Sequence, residues 1–307
     1  LTGFSVTFAV TPILRWLALR VGMVDHPESR KVHTAPVPYV GGIAIIIGTV
    51  TALIIGPGLS FEAVAIGVVA GGLGVVGLID DRYSVRVLPR LVAQIAAACV
   101  AVGVGVQVTV SGVSWLDAAL TVLWIVTVTN ATNLVDNMDG QSAGYVAVSS
   151  AGMLGLAILA GQIVVASVAA SLVGVCTGFL IWNLSRWRVF MGDTGSLFLG
   201  FAVSVTVVEV SPLFGSSRAG RLIALLLVAV PLLDLVTVVG GRLRHGMAGG
   251  TAGRDLLAHR LVIRGLSPRF AVFVLVVVQG TLVLVSVGIW AESVPVGAGL
   301  LVAVAVL

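Results

Sequence analysis

The sequence predicts an all-α, polytopic membrane protein with about eleven transmembrane helices, its N-terminus outside and its chemistry on the cytoplasmic face. Three observations predict it. Hydrophobic residues fill 58% of the 307 positions and charged residues only 10%, whereas a soluble domain carries roughly 25% charged residues. The apolar residues gather in runs of about 20, the length at which a helix crosses a bilayer core. The basic residues crowd into alternate connections between those runs.

The expected spans are 1–20, 40–59, 61–79, 89–108, 115–133, 144–160, 162–183, 196–212, 221–240, 269–290 and 294–307. No stretch reads as a soluble module, so residues 1–307 are expected to form a single integral-membrane domain. There is no cleavable signal-peptide pattern. Both ends lie in apolar sequence, so the full protein is expected to extend further. Cys99 and Cys176 each fall inside an apolar run, which argues against a disulfide framework or a thiolate metal site. Both are expected as small buried hydrophobes. Gly67, Gly71, Gly74 and Gly77 recur at helical spacing and predict close helix packing through small residues.

The charges orient the chain. Of the 17 Lys and Arg, alternate connections hold Arg20, Arg30, Lys31, Arg82, Arg86, Arg90, Arg186, Arg188, Arg242, Arg244, Arg254, Arg260, Arg264 and Arg269. Arg15 can snorkel to the same side, and Arg218 and Arg221 fall on the other. The positive-inside rule makes the crowded side cytoplasmic. The remaining polar residues test that assignment, because they played no part in making it. All four histidines land on the same side, with Asp25, Glu28, Asp80, Asp81, Asp136, Asp139, Asp193 and Asp255. The outer connections carry Glu62, Asp117 and Glu292.

Five cytoplasmic loops then carry the chemistry. The first, residues 25–42, reads DHPESRKVHTAPVPYVGG. The second, 78–90, places Asp80 and Asp81 at a helix C-terminus, where the helix dipole disfavours acids. A cation must offset them, either a divalent metal or nearby arginines such as Arg82 and Arg86. The third, 129–144, holds Asn130, Asn133, Asp136, Asn137 and Asp139 and no basic residue. Its Asn130, Asn133 and Asp136 share one face if the fifth helix runs through them, and their oxygens suit a hard cation such as Mg²⁺. The fourth, 182–196, brings Asp193 to a helix start, either as an N-cap or as a ligand, where backbone N–H groups also attract phosphate. The fifth, 240–268, is the most basic, and arginine grips phosphate bidentately. Asp234 lies within the ninth span, where an acid is a functional candidate by default. Acids and arginines converging on one face point to a metal–diphosphate complex.

These loops resemble those of the polyprenyl-phosphate N-acetylhexosamine-1-phosphate transferases, over nearly the whole chain and in order. Asp25, Pro27, Arg30, Lys31, His33, Pro36, Pro38, Gly41 and Gly42 follow the family's first motif. Asp80-Asp81 resembles its aspartate pair, with Arg90 and Gln94 following. Residues 130–140 resemble N-x-x-N-x-x-D-G-x-D-G, with Asn137 in place of the first Gly. Residues 190–196, FMGDTGS, resemble the metal motif. In RDLLAHRL, Leu256 and Ala258 stand where histidine or polar residues are common. The first motif and Pro231-Leu232-Leu233-Asp234 are more similar to the GlcNAc-1-phosphate branch than to the phospho-MurNAc-pentapeptide branch, which is the alternative.

The resemblance implies an Mg²⁺-dependent enzyme of a bacterial inner membrane, with Mn²⁺ as a substitute ion. It would pass a sugar-1-phosphate from a UDP-sugar, UDP-GlcNAc first, to a polyprenyl phosphate, releasing UMP. Asn133 and Asp193 are the implied metal ligands, and Asp80, Asp81, Asp136 and Asp139 the implied catalytic acids. Lys31, Arg90, Asn183, Asp234, Asp255, His259 and Arg260 are the expected substrate contacts. No nucleic acid is expected as a partner, and a homodimer is compatible with the sequence. The rival class is a cation-coupled transporter, which needs ionisable groups near the midplane and access from both sides.

Overall fold

A computed structural model describes residues 1–25, 36–57, 59–214, 217–244 and 255–306. The chain forms helices α1 (Thr2–Val21), α2 (Gly41–Ile55), α3 (Phe61–Tyr83), α4 (Val87–Gly103), α5 (Ser114–Leu134), α6 (Gln141–Leu159) and α7 (Ile163–Asn183). It continues through α8 (Gly192–Val210), α9 (Arg218–Leu226), α10 (Ala229–Arg244), α11 (Leu257–Ile263), α12 (Pro268–Trp290) and α13 (Val296–Val306). Two short strands, β1 (Val24–Asp25) and β2 (Val37–Pro38), pair antiparallel across the first loop.

The protein is therefore all-α and polytopic. Among the described residues, α1, α3, α5, α6, α7, α8 and α12 are long and apolar enough to cross a membrane, and α9 with α10 adds an eighth as a bent pair. The shorter apolar helices α2, α4 and α13 fill the three remaining predicted segments. The outer helices turn Ile13, Leu17, Val68, Val75 and Leu284 outward. α8 is the hub, buried from Thr194 to Val208 and packed on α3, α5, α2 and α6. A chain in lipid must satisfy its backbone groups internally, which favours helices throughout.

Several boundaries differ from the sequence reading. α3 runs to Tyr83, so Asp80 and Asp81 occupy its last turn. α8 starts at Gly192 rather than 196, placing Asp193 in its first turn. α5 stops at Leu134, so Asp136 lies in the following turn and not on a shared helical face with Asn130 and Asn133. Cys99 is exposed on α4, while Cys176 is buried, and both are free. Of the four spaced glycines on α3, Gly74 and Gly77 meet neighbours closely, but Gly67 and Gly71 face open space.

The largest departure is the expected helix 221–240, which breaks between α9 and α10 with a bend of 81°. Pro231 supplies the cause. It has no N–H to give Leu227, and its ring crowds that carbonyl. Gln279 of α12 repairs the break. Its Nε2 donates to Leu226 O at 3.1 Å and Leu227 O at 2.9 Å, and its Oε1 accepts from Val230 N at 2.9 Å. Gln279→Leu is expected to strand these groups in the bundle and cost about 2–4 kcal/mol. Thermal unfolding in detergent reads it, and an unchanged midpoint would show that Gln279 does not carry the break.

Candidate active site

Helix ends meet on one face of the bundle, and four of the helices that start there are closed from another element. The first amides of α2, Gly41 N and Gly42 N, donate to the carbonyls of Phe190 and Met191 at 2.9 and 3.0 Å. The start of α6 is closed by Asn183 of α7, whose Oδ1 accepts from Gly140 N at 2.6 Å while its Nδ2 donates to Val189 O at 3.0 Å. The start of α11 is closed by Asp234 of α10, whose Oδ1 accepts from Leu257 N at 2.7 Å.

The start of α8 is closed by Asp81 of α3. Asp81 Oδ1 accepts from Asp193 N at 2.8 Å, and Oδ2 accepts from Thr194 N at 3.1 Å and from Thr194 Oγ1 at 2.8 Å. A carboxylate at a helix N-terminus satisfies orphan amides and meets the positive end of the dipole. Helix α8 thus has an N-cap borrowed from α3, and Asp193 is not its own cap. Glycine makes the approach possible. A Cβ on Gly77 would lie 2.3 Å from Asp193 O, and one on Gly42 2.3 Å from Gly195 N. Gly192 carries φ +70° with the Asp81 carboxylate against it.

The side chains expected to carry chemistry converge around that cap. Arg90 of α4 donates to Asp80 Oδ2 at 2.6 Å and reaches Asp193 Oδ2 at 3.3 Å. Asp80 Oδ1 accepts from Val85 N at 2.7 Å. Asn133 Nδ2 donates to Asp193 Oδ1 at 2.6 Å and to Ser196 Oγ at 2.8 Å. The acid pair at the end of α3 is therefore offset by Arg90 and by the α8 dipole. Arg82 and Arg86 are exposed and play no such part. Gln94 and Asn130 pair through their amides behind Arg90.

Asp136 lies half-buried in the turn after α5. Burial, then the like charges of Asp193, Asp81 and Asp139, push its carboxyl up to about 8. Asp139 is held by Arg188 at 3.3 Å. This corner is short of positive charge, and a cation placed among the acids would draw the Asp136 carboxyl back down.

A second group gathers at α11. Asp234 is fully buried, and its other oxygen, Oδ2, has no hydrogen-bond partner among the described residues. Arg260 Nε donates to the carbonyl of Asp255 at 3.0 Å, and His259 follows on the same helix. Lys31 lies outside the described residues. Sequence reasoning missed two contributors: Ser196 as a partner of Asn133 and Arg188 as the partner of Asp139. Asn183, expected as a substrate contact, instead spends both ends of its amide as a clamp between loops three and four. Ser196 stands inside FMGDTGS and Arg188 just before it, but their partners lie on α5 and in the turn that follows it.

Metal fit follows from the donor set. Among the described residues no three Asp, Glu, His or Cys side chains form a self-sufficient metal cage. Mg²⁺ does not ask for one, since it is commonly held by one or two carboxylates together with substrate phosphates. Asp193 offers a carboxylate with Asp80 nearby, and Asn133 adds an amide that donates its Nδ2 to Asp193 here and would turn its Oδ1 to a bound cation, so the residues fit a cation that arrives with a diphosphate.

Similarity to known proteins bears on this geometry. Residues 63–211 match the family described as glycosyl transferase family 4. A Bacillus subtilis protein named probable undecaprenyl-phosphate N-acetylglucosaminyl 1-phosphate transferase is 31% identical over 301 residues, covering 92% of this chain and 82% of its own length. The decaprenyl-phosphate N-acetylglucosaminephosphotransferase of Mycobacterium tuberculosis is 31% identical over 317 residues, covering 90% and 78%. The undecaprenyl-phosphate alpha-N-acetylglucosaminyl 1-phosphate transferase of Escherichia coli is 30% identical over 294 residues, covering 91% and 79%.

Substituting Gly77 tests the packing that places Asp193. Gly77→Ala is expected to overpack α3 against α8 and cost about 1–3 kcal/mol. Gly67→Ala, one face away in open space, is expected to be neutral. Equal thermal midpoints for the two variants would refute the contact.

Proposed function

The chain belongs to glycosyl transferase family 4, and on that premise we propose that it transfers GlcNAc-1-phosphate from UDP-GlcNAc to a polyprenyl phosphate in a bacterial inner membrane. The observation that carries this reading is the meeting of Asp80, Arg90, Asn133 and Asp193 at the capped start of α8. The relatives above are all named for N-acetylglucosamine phosphate transfer to a prenyl phosphate. That favours UDP-GlcNAc over a muramoyl-pentapeptide donor. All eleven apolar segments act as spans in one domain, with the N-terminus outside. The arginine-rich connections then face the cytoplasm, where a nucleotide sugar is available.

In the reaction an oxygen of the lipid phosphate forms a bond to the sugar-linked phosphorus, and the bond from that phosphorus to UMP breaks. A phosphate monoester has its second pKa near 6, so the nucleophile is already ionised at neutral pH and no base is obligatory. Positioning and charge neutralisation carry the step, as in other phosphoryl transfers. Mg²⁺, with Mn²⁺ as a substitute, would be held by Asp193 and Asn133 and would neutralise the diphosphate. Arg90, fixed between Asp80 and Asp193, presents its remaining N–H groups to phosphate oxygens. Asp81 positions rather than reacts, because both its oxygens are taken by α8. Asp136 and Asp139 line the neighbouring turn and order it for the nucleotide. Arg260, His259 and Asp255 on and before α11 meet the sugar-phosphate from the other side, with Asp234 holding that helix start.

Two substitutions separate these roles. Asp193→Asn keeps the side-chain shape and removes the charge. It is expected to cut UMP release from UDP-GlcNAc at least about a hundredfold, while the protein inserts and melts as before. Asp81→Asn turns an N–H toward the α8 amides and is expected to lower the melting midpoint together with activity. UMP release at the normal rate from Asp193→Asn would remove that residue from the mechanism. A stable but inactive Asp81→Asn would return Asp81 to the reacting groups.

A further inference from the structure

Away from the acid-rich loops, an arginine–tryptophan cluster joins the end of α1 to the connection between α7 and α8. The guanidinium carbon of Arg20 lies 3.8 Å from the ring centroid of Trp16. Arg15 and Arg186 approach the Trp187 ring at 5.2 and 5.4 Å. Both tryptophans are about half exposed, at 53% and 51%. Among the described residues no carboxylate pairs with Arg15, Arg20 or Arg186. Arg188, two residues past Arg186, differs in having Asp139 as its partner.

Stacking uses the flat face of a guanidinium and leaves its in-plane N–H groups pointing outward. Those donors need acceptors, and Arg15 shows the need directly: its Nε is buried and has no partner among the described residues. Three like charges gathered on two indole rings also repel one another until an anion joins them. The cluster stands at the last two turns of α1 and just beyond α7, the level at which tryptophan and arginine meet lipid headgroups. The anion available at that level is a lipid phosphate, whose paired oxygens match a guanidinium edge.

We propose that Arg15, Arg20 and Arg186, held by Trp16 and Trp187, bind the headgroup phosphate of an anionic phospholipid in the leaflet that borders the acid-rich loops. The proposal stands apart from the transfer reaction, since none of these residues belongs to its machinery. Phosphatidylglycerol is preferred to phosphatidylcholine for two reasons. Its headgroup carries net negative charge, and the aromatic faces that a choline would seek are already covered by guanidinium groups.

Native mass spectrometry of the purified full chain, with phosphatidylglycerol or phosphatidylcholine added to the detergent, tests this. The wild type is expected to retain phosphatidylglycerol several-fold more than phosphatidylcholine. The double variant Arg20→Gln/Arg186→Gln is expected to lose about tenfold of that retention. Trp187→Leu keeps every charge, removes the shared platform, and is expected to lose part of it, which keeps the test open if the double variant misfolds. Equal retention of the two lipids, or retention unchanged in both variants, would overturn the proposal. So would displacement of phosphatidylglycerol by a short polyprenyl phosphate, which would assign the cluster to the lipid substrate.

Discussion

The site depends on one carboxylate bridging two helices. Asp81 ends α3 and caps α8 with both its oxygens. A helix C-terminus repels an acid and a helix N-terminus attracts one, so the position that penalises Asp81 on its own helix rewards it on the next. The result fixes where α8 begins. That start decides where Asp193 points, which decides what Arg90 and Asn133 can hold. Removing the cap would leave the first amides of α8 without their acceptor at the positive end of the helix dipole.

The same logic recurs around the face. Carbonyls of loop four close α2, Asn183 closes α6, and Asp234 closes α11. Loops in such a protein are short of solvent on one side, so polar side chains are spent first on backbone groups. An acid that reads as catalytic in one dimension can therefore be a cap in three. Asp80 and Asp81 are adjacent in sequence yet divided in task, one turned to Arg90 and the other to α8.

Much of this was legible beforehand, and the gaps have physical reasons. Hydropathy located the apolar helices, of which seven, or eight with the bent α9–α10 pair, are long enough to cross a membrane among the described residues, because a segment in lipid must be apolar along its length. Loop composition correctly brought Asp80, Asn133 and Asp193 together, because acids concentrated in a basic compartment require a shared cation. What escaped were couplings over long separations. Asp81 reaches Asp193 across 112 positions, and nothing local in LIDDRY announces a cap. The break before α10 was written in Pro231, but its repair by Gln279 lies 52 residues from the carbonyl of Leu227. Lys31 remains outside the described residues.

The close approach of Gly42 to Gly195 and of Gly77 to Asp193 has a consequence for how such a pocket can change. The α2–α8 and α3–α8 contacts beneath the acids are main chain against main chain, and main chain has no rotamers to adjust. Selection cannot reshape that packing by small steps, because the first added methyl group already collides. A new donor preference must therefore come from the rim, where the loops carry long side chains, while the floor stays fixed across whatever sugars the rim learns to admit.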